Sequence, residues 1–248
     1  MDNPAIRFAC NGCGVCCKGR LIPLTLREAR QWLHRGHDVA VVLEAFDQTT
    51  WPPGSPQYAH SFLRGAEVSS GSTYVTVVAV FTGNAISQSP NLGDDDRCGI
   101  YHERPLVCRI YPVEINPFIP MEPESKACPP QVWEAGEVIF TDRIIDPVLE
   151  RQVQESRSAD RADALAKVAV CESLGLKVAA WKGNALAVYQ PDRIKLIEAI
   201  DAYDSGIGTR LTAGWRVRVD NLDLINKLQR AGVALEAGGQ QEYIFQEL

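Results

Sequence analysis

Apolar and polar positions alternate with different periods along this chain, and the changes of period mark out its elements. LIPLT (21–25) reads as a short extended piece. TLRE (25–28) is a capping box, in which Thr25 accepts from the first turn of a helix and Glu28 reaches back. REARQWLHRG continues it as a short amphipathic helix stopped near Gly36. DVAVVLEAFDQ (38–48) is expected to be a further helical or mixed apolar segment, and the prolines of WPPGSPQ (51–57) predict a turn or loop. STYVTVVAVFTG (72–83), rich in β-branched and aromatic residues, predicts a buried strand. NAISQSPNLGDDD (84–96) is a polar loop running directly into Arg97 and Cys98. NPFIPMEPESKACPP (116–130) suits neither a helix interior nor a central strand, so irregular chain pinned by Cys128 is expected there.

The composition changes near residue 140. Residues 146–176 are dense in helix formers and predict one or two helices. KVAAWKGNALAVYQ has a strand–turn–strand pattern about Lys182, Gly183 and Asn184. PDRIKLIEAIDAYD, with Ile194, Leu196, Ile197 and Ile200, predicts a helix. GWRVRVD alternates as a strand, NLDLINKLQRAG is a helix closed by Gly232, and EYIFQEL is expected to be a terminal strand. No internal repeat or low-complexity segment interrupts this order. The expected class is α+β. An irregular, metal-organised N-terminal domain spans 1–140, and a mixed helical and strand region of unassigned role spans 141–248.

Composition narrows the partners. The 248 residues carry a net charge of −6, which argues against nucleic acid or an anionic membrane surface as partner. No run of about 20 apolar residues predicts a membrane span. MDNPAIRFAC lacks the basic and apolar regions of a secretory leader, so a cytoplasmic location is expected. Disulfides are rare in that reducing compartment, so the 8 cysteines need another explanation.

Their distribution supplies one. CNGCGVCC (10–17) holds Cys10, Cys13, Cys16 and Cys17; Cys98, Cys108 and Cys128 follow, and only Cys171 lies beyond. Bare thiolates packed together repel, and a bound cation removes that repulsion. Two-residue spacings let both sulfurs turn toward one centre, with Gly12 and Gly14 relieving the backbone. Adjacent Cys16 and Cys17 are expected to diverge, serving two metals or one metal and the core. CxxCxxC matches the opening spacings of bacterial ferredoxins, and Cys128-Pro129 supplies a distant cysteine before proline. Seven cysteines exceed one tetrahedral zinc site or one four-cysteine cluster, so two centres or supporting thiols are both open. Arg104 and Arg109 would offset thiolate charge, while Tyr101 and Tyr111 would wall the site from water. His102 reads as a bystander, Asp94–Asp96 as a solvated acidic loop, and Cys171 as an ordinary buried cysteine.

CNGCGVCCKG followed by CGIYHERPLVCRIYP resembles the CxxCxxCC family of bacterial cysteine-cluster proteins, described as zinc- or iron-chelating. The resemblance covers roughly residues 8–130. It implies that Cys10, Cys13, Cys16, Cys17, Cys98 and Cys108 are the metal-associated cysteines, with Cys128 a later member. Flagellin lysine methylase is a relative with a similar cluster. This chain departs from it in a long insertion between Cys17 and Cys98 and in its C-terminal half.

The expected cofactor is an iron–sulfur cluster or zinc, with the iron–sulfur cluster favoured. The first functional reading is a metal-binding protein whose centre holds an irregular domain together, since structural metal supplies on the order of 10 kcal/mol of folding free energy. The C-terminal region would then meet a protein partner or substrate. The alternatives are an iron–sulfur oxidoreductase or redox sensor, a metal chelator or chaperone, and a lysine methylase-like enzyme. No local signature of a Ser-His-Asp or Cys-His catalytic set stands out. Glycine-rich dinucleotide or S-adenosylmethionine turns and the radical-enzyme spacing CxxxCxxC are also missing from the sequence.

Overall fold

The capping box forms as the sequence requires: Thr25 accepts from the Glu28 amide at 3.1 Å, and Glu28 accepts from the Thr25 amide at 2.9 Å. The computed structural model describes residues 5–207, 210–212, 214–236 and 243–247. In chain order the strands are β1 (Ile6–Phe8), β2 (Arg20–Leu24), β3 (Val39–Phe46), β4 (Ala66–Ser70), β5 (Thr73–Ala85), β6 (Glu137–Phe140), β7 (Val178–Trp181), β8 (Ala185–Tyr189), β9 (Arg216–Arg218) and β10 (Tyr243–Glu247). The helices are α1 (Leu26–His34), α2 (Pro56–Phe62), α3 (Leu106–Ile110), α4 (Gln131–Glu134), α5 (Pro147–Ala162), α6 (Ala164–Ser173), α7 (Arg193–Asp204) and α8 (Leu222–Arg230). Helices and mixed sheets together make the fold α+β, as expected.

The chain divides into two units, each assembled from separated segments. The first comprises Met1–Leu24 and Gly83–Ala159; the second comprises Thr25–Thr82 and Asp160–Leu248. The insertion between Cys17 and Cys98 therefore contributes residues 25–82 to the second unit, and the cysteine-bearing segments on either side of it share the first.

In the first unit, β1 pairs antiparallel with β6, Ile6 opposite Phe140 and Phe8 opposite Glu137. Phe8 also meets Trp133 of α4, ring centroids 5.1 Å apart. This pairing ties the chain just before Cys10 to the chain just after Cys128. The core beneath is small: Ile110, Val113, Ile139, Leu149 and Val153, with Phe8, Ile115, Met121, Phe140 and Ile144 packed against it. The proline-rich stretch is irregular, as its composition requires, with a single 3-10 turn at Pro123–Ser125. Its pins extend beyond Cys128. Lys126 pairs with Glu114 at 2.6 Å, the Ala127 amide donates to the Tyr111 hydroxyl at 3.1 Å, and Arg157 Nε donates to the Ile115 carbonyl at 3.0 Å.

The second unit is built on a sheet with β3 near its centre. β8 runs antiparallel to β3, Val41 opposite Tyr189, while β7 runs parallel to it, Ala45 opposite Trp181. β10 extends the sheet beyond β8, β9 beyond β7, and β4 pairs with β5. β3 corrects the helical or mixed expectation for residues 38–48. Seven of its eight residues are buried, so it shows no alternation. A strand covered on both faces and a buried helix present the same continuous apolar run, and the valines tip this one to strand. The loop expected over 51–57 holds through Ser55, and its last two residues, Pro56 and Gln57, open α2, because Pro56 occupies the first helical position, where a missing N–H costs nothing. α7 packs on α1 and α6, and Arg30 of α1 pairs with Asp201 at 3.0 Å and with Asp204.

Candidate metal centre

The CNGCGVCC run folds as a loop closed by a 3-10 turn at Val15–Cys17. Gly14 enters this turn in the left-handed region, φ 68°. A Cβ at Gly14 would lie 2.3 Å from the Asp96 carbonyl oxygen and 2.9 Å from Leu92 Cδ1. Only glycine therefore lets the first cysteine segment rest on the loop leading to Cys98. Backbone bonds hold the two together: Ser89 N to Cys17 O at 2.7 Å, and Gly19 N to Ile86 O at 3.2 Å. Lys18 adds an exposed pair to Asp96 at 2.6 Å. The acidic loop is itself a tight turn, with Gly93 N on Arg97 O at 2.8 Å and Leu92 bridged to Cys98.

The second motif wraps the same site. Cys98 leads into a 3-10 turn at Tyr101–Glu103, and Cys108 lies on α3, which packs on β2. Arg104 stacks over the Tyr101 ring at 3.9 Å and Arg20 over the Tyr111 ring at 5.2 Å. Arg109 is exposed and donates to the Arg104 carbonyl at 2.8 Å, so it braces the turn. The Nε atoms of Arg20 and Arg104 are buried without a hydrogen-bond acceptor.

All seven cysteines of the cluster belong to the first unit, and Cys171 belongs to the second. Cys10 is exposed, the other six are half-buried, and Cys171 is fully buried on α6, where burial pushes its thiol up. Cys16 and Cys17 do not diverge as the sequence led us to expect. Their side chains hydrogen-bond to each other within the 3-10 turn. The Cys17 S–H held on Cys16 lowers the Cys16 thiol to about 6 against the opposing effect of burial, with Arg20 and Arg104 also lowering it. The same bond, then burial, then the charges of Cys16, Cys98 and Cys108 push Cys17 up. Cys128 is raised by burial and by Cys16, Cys13 and Cys10, while its hydrogen bond with Tyr111 opposes the shift. Tyr111 is raised in turn by burial and by Cys128.

These couplings connect every cysteine of the cluster to at least one other. Among the described residues, no three Cys, His, Asp or Glu side chains already converge as a group able to hold a metal ion. The thiols are gathered in one unit without being closed on a point. Their chemistry fits iron or zinc, which soft thiolates select, and the two buried guanidinium Nε atoms without acceptors suit a negatively charged neighbour. His102 is exposed, edge-on to Tyr101.

Residues 9–129 match the profile of a family described as "CxxCxxCC: Putative zinc- or iron-chelating domain". Over this segment, just under half of its length, the chain is similar to the CxxCxxCC family. The family description supports binding of zinc or iron. No curated protein and no solved structure matched the chain. The matched segment contains all seven cysteines of the cluster, and β6 and α5, which complete the small core, lie beyond it. Among the described residues, no helix is long and apolar enough to cross a membrane.

Arg20 is a site residue that the sequence places beside Cys16 and Cys17 without giving it a role at the centre. It lies outside both cysteine motifs and opens an otherwise apolar strand. A basic residue at the head of LIPL, beside a thiol cluster, is the signal that could have given it one.

Proposed function

We propose that the first unit holds a cysteine-ligated metal centre, an iron–sulfur centre in preference to zinc, whose main task is to organise that unit. One observation carries the reading: seven cysteines from four separated stretches of chain gather in one unit, while the eighth stays buried in the other. Cys10, Cys13, Cys16, Cys17, Cys98, Cys108 and Cys128 are the candidate ligands. The unit has only a small core and much irregular chain, and binding energy at a structural metal is folding energy. More thiols than one zinc ion uses, with the CxxCxxC spacing, favour iron–sulfur. Such a centre, when bound, supplies cross-linking and, if iron, one-electron chemistry.

A second reading, metal handling by a chelator or chaperone, draws support from the exposure of Cys10 and the half-exposure of the other six thiols, because exchange needs access. To the second unit we assign a partner- or substrate-meeting role. It carries an open cleft of about 560 Å³ whose lining includes Trp51, Trp181, Lys182, Lys227 and Glu44.

The test is metal and acid-labile sulfide content of protein purified without oxygen, with a visible spectrum before and after reduction. Iron with sulfide and a bleachable band supports the iron–sulfur reading. Stoichiometric zinc without sulfide replaces it by a zinc centre. Absence of bound metal after reconstitution with either metal refutes both.

A further inference from the structure

We propose that Arg20 and Arg104 are positioning residues of the metal centre, donating to its thiolate sulfurs and offsetting their charge. The inference rests on the metal reading above. Its basis is geometric. Each guanidinium has a buried Nε with no acceptor, and a buried donor left unmade costs free energy, so such atoms call for a partner. Each guanidinium is also held in place by an aromatic ring, Arg104 over Tyr101 at 3.9 Å and Arg20 over Tyr111 at 5.2 Å. Tyr111 is in turn fixed by the Ala127 amide at 3.1 Å and bonds to the Cys128 thiol. Arg104 is fixed through its carbonyl, which accepts from Arg109 Nε at 2.8 Å. Both arginines act on Cys16 through space.

The chemistry follows from the donor set. Four thiolates on a divalent ion leave a net charge of about −2, and outer groups that hydrogen-bond to ligands orient them and tune the metal. A planar, permanently charged guanidinium stacked on a ring suits that task at low conformational cost. Arg97 adjoins Cys98 in sequence but is exposed on the acidic loop, and it takes no part.

The experiment uses the full chain. Zinc affinity is measured by chelator competition for wild type, Arg20→Gln, Arg104→Gln, Arg20→Lys and Arg97→Gln. The cobalt(II) forms are then compared by their thiolate-to-metal charge-transfer bands. The expected result is zinc binding weakened about 10- to 100-fold in both glutamine variants, the range for lost outer-shell partners. Arg20→Lys should recover part of the loss, and Arg97→Gln should match wild type. The charge-transfer bands of the glutamine variants should move to longer wavelength, since a sulfur without its donor gives up electron density more readily. A purely structural role would not shift these bands. If Arg20→Gln does not fold, the cobalt spectrum of Arg104→Gln decides. Wild-type affinity and spectrum in the glutamine variants overturn this inference alone. A wild-type chain that takes up neither zinc nor cobalt overturns the metal reading and this inference with it.

Discussion

Replacing Gly14 by alanine tests how the two cysteine motifs are held together. Two costs arise at this position. The backbone sits at φ 68°, and placing an L residue in the left-handed region costs about 1–2 kcal/mol. The added Cβ would also lie 2.3 Å from the Asp96 carbonyl oxygen and 3.2 Å from its carbon. Backbone must therefore move to admit it, and overpacking of this kind costs about 1–3 kcal/mol more. Gly12 is the internal control: its φ is 73°, but nothing lies within 4 Å of a Cβ built there. Gly12→Ala should pay only the conformational cost. The assay is hydrogen exchange of the peptide covering residues 89–99, whose Gly93 and Gly99 amides are bonded to Arg97 and Asn91 at 2.8 Å each, run beside metal titration. The steric difference of about 1–3 kcal/mol corresponds to about 5- to 150-fold faster exchange in Gly14→Ala than in Gly12→Ala. Metal uptake should weaken in the same order. Equal exchange in the two variants would refute the claim that Gly14 is the contact point between the motifs.

Further outcomes follow from the same geometry. Serine at Cys10, Cys13, Cys98 or Cys108 should lower metal content and soluble yield, whereas Cys171→Ser should keep full metal occupancy; elemental analysis of the purified variants checks this, and full occupancy in Cys13→Ser removes that ligand. In metal-free protein, Cys16 should be alkylated with a midpoint near pH 6, and Cys17→Ala should move that midpoint upward by removing the S–H donor; mass spectrometry of alkylated peptides across pH reads both. In the second unit, Asp160 joins Arg64 and Lys167, and Lys167 is only 2% exposed. Asp160→Ala leaves that ammonium buried and uncompensated, and the expected loss is about 3–5 kcal/mol in denaturant unfolding. Burial alone would raise the Asp160 carboxyl, but Arg64 and Lys167 outweigh it and hold it below its ordinary value of 3.8. The stabilisation is therefore complete above that value and lost as pH falls through the lower folded value. Acid titration of wild type against Asp160→Asn should show the difference confined to that window.

Much of this protein is legible one residue type at a time. Thr25 and Glu28 form a capping box because that signal is local, and the prolines of 116–130 exclude regular structure wherever they lie. The crowding of seven cysteines into the first 128 residues names the chemistry, because few groups other than soft metals reconcile so many thiols. Residues 38–48 escaped because burial on both faces erases the alternation that separates strand from helix. The pairing of Cys16 with Cys17 escaped because it depends on the turn geometry set by Gly14. What only the tertiary structure decided is the partition of the chain. Residues 25–82 leave the cysteine segments and join a sheet with residues from beyond 160, since β3 finds its partners in β7 and β8. That long-range pairing carries no local mark in sequence. The same holds for Arg20 on Tyr111 and Gly14 on Asp96, contacts between residues about 80 or more apart. Sequence determines which donors are available, and folding determines which of them meet.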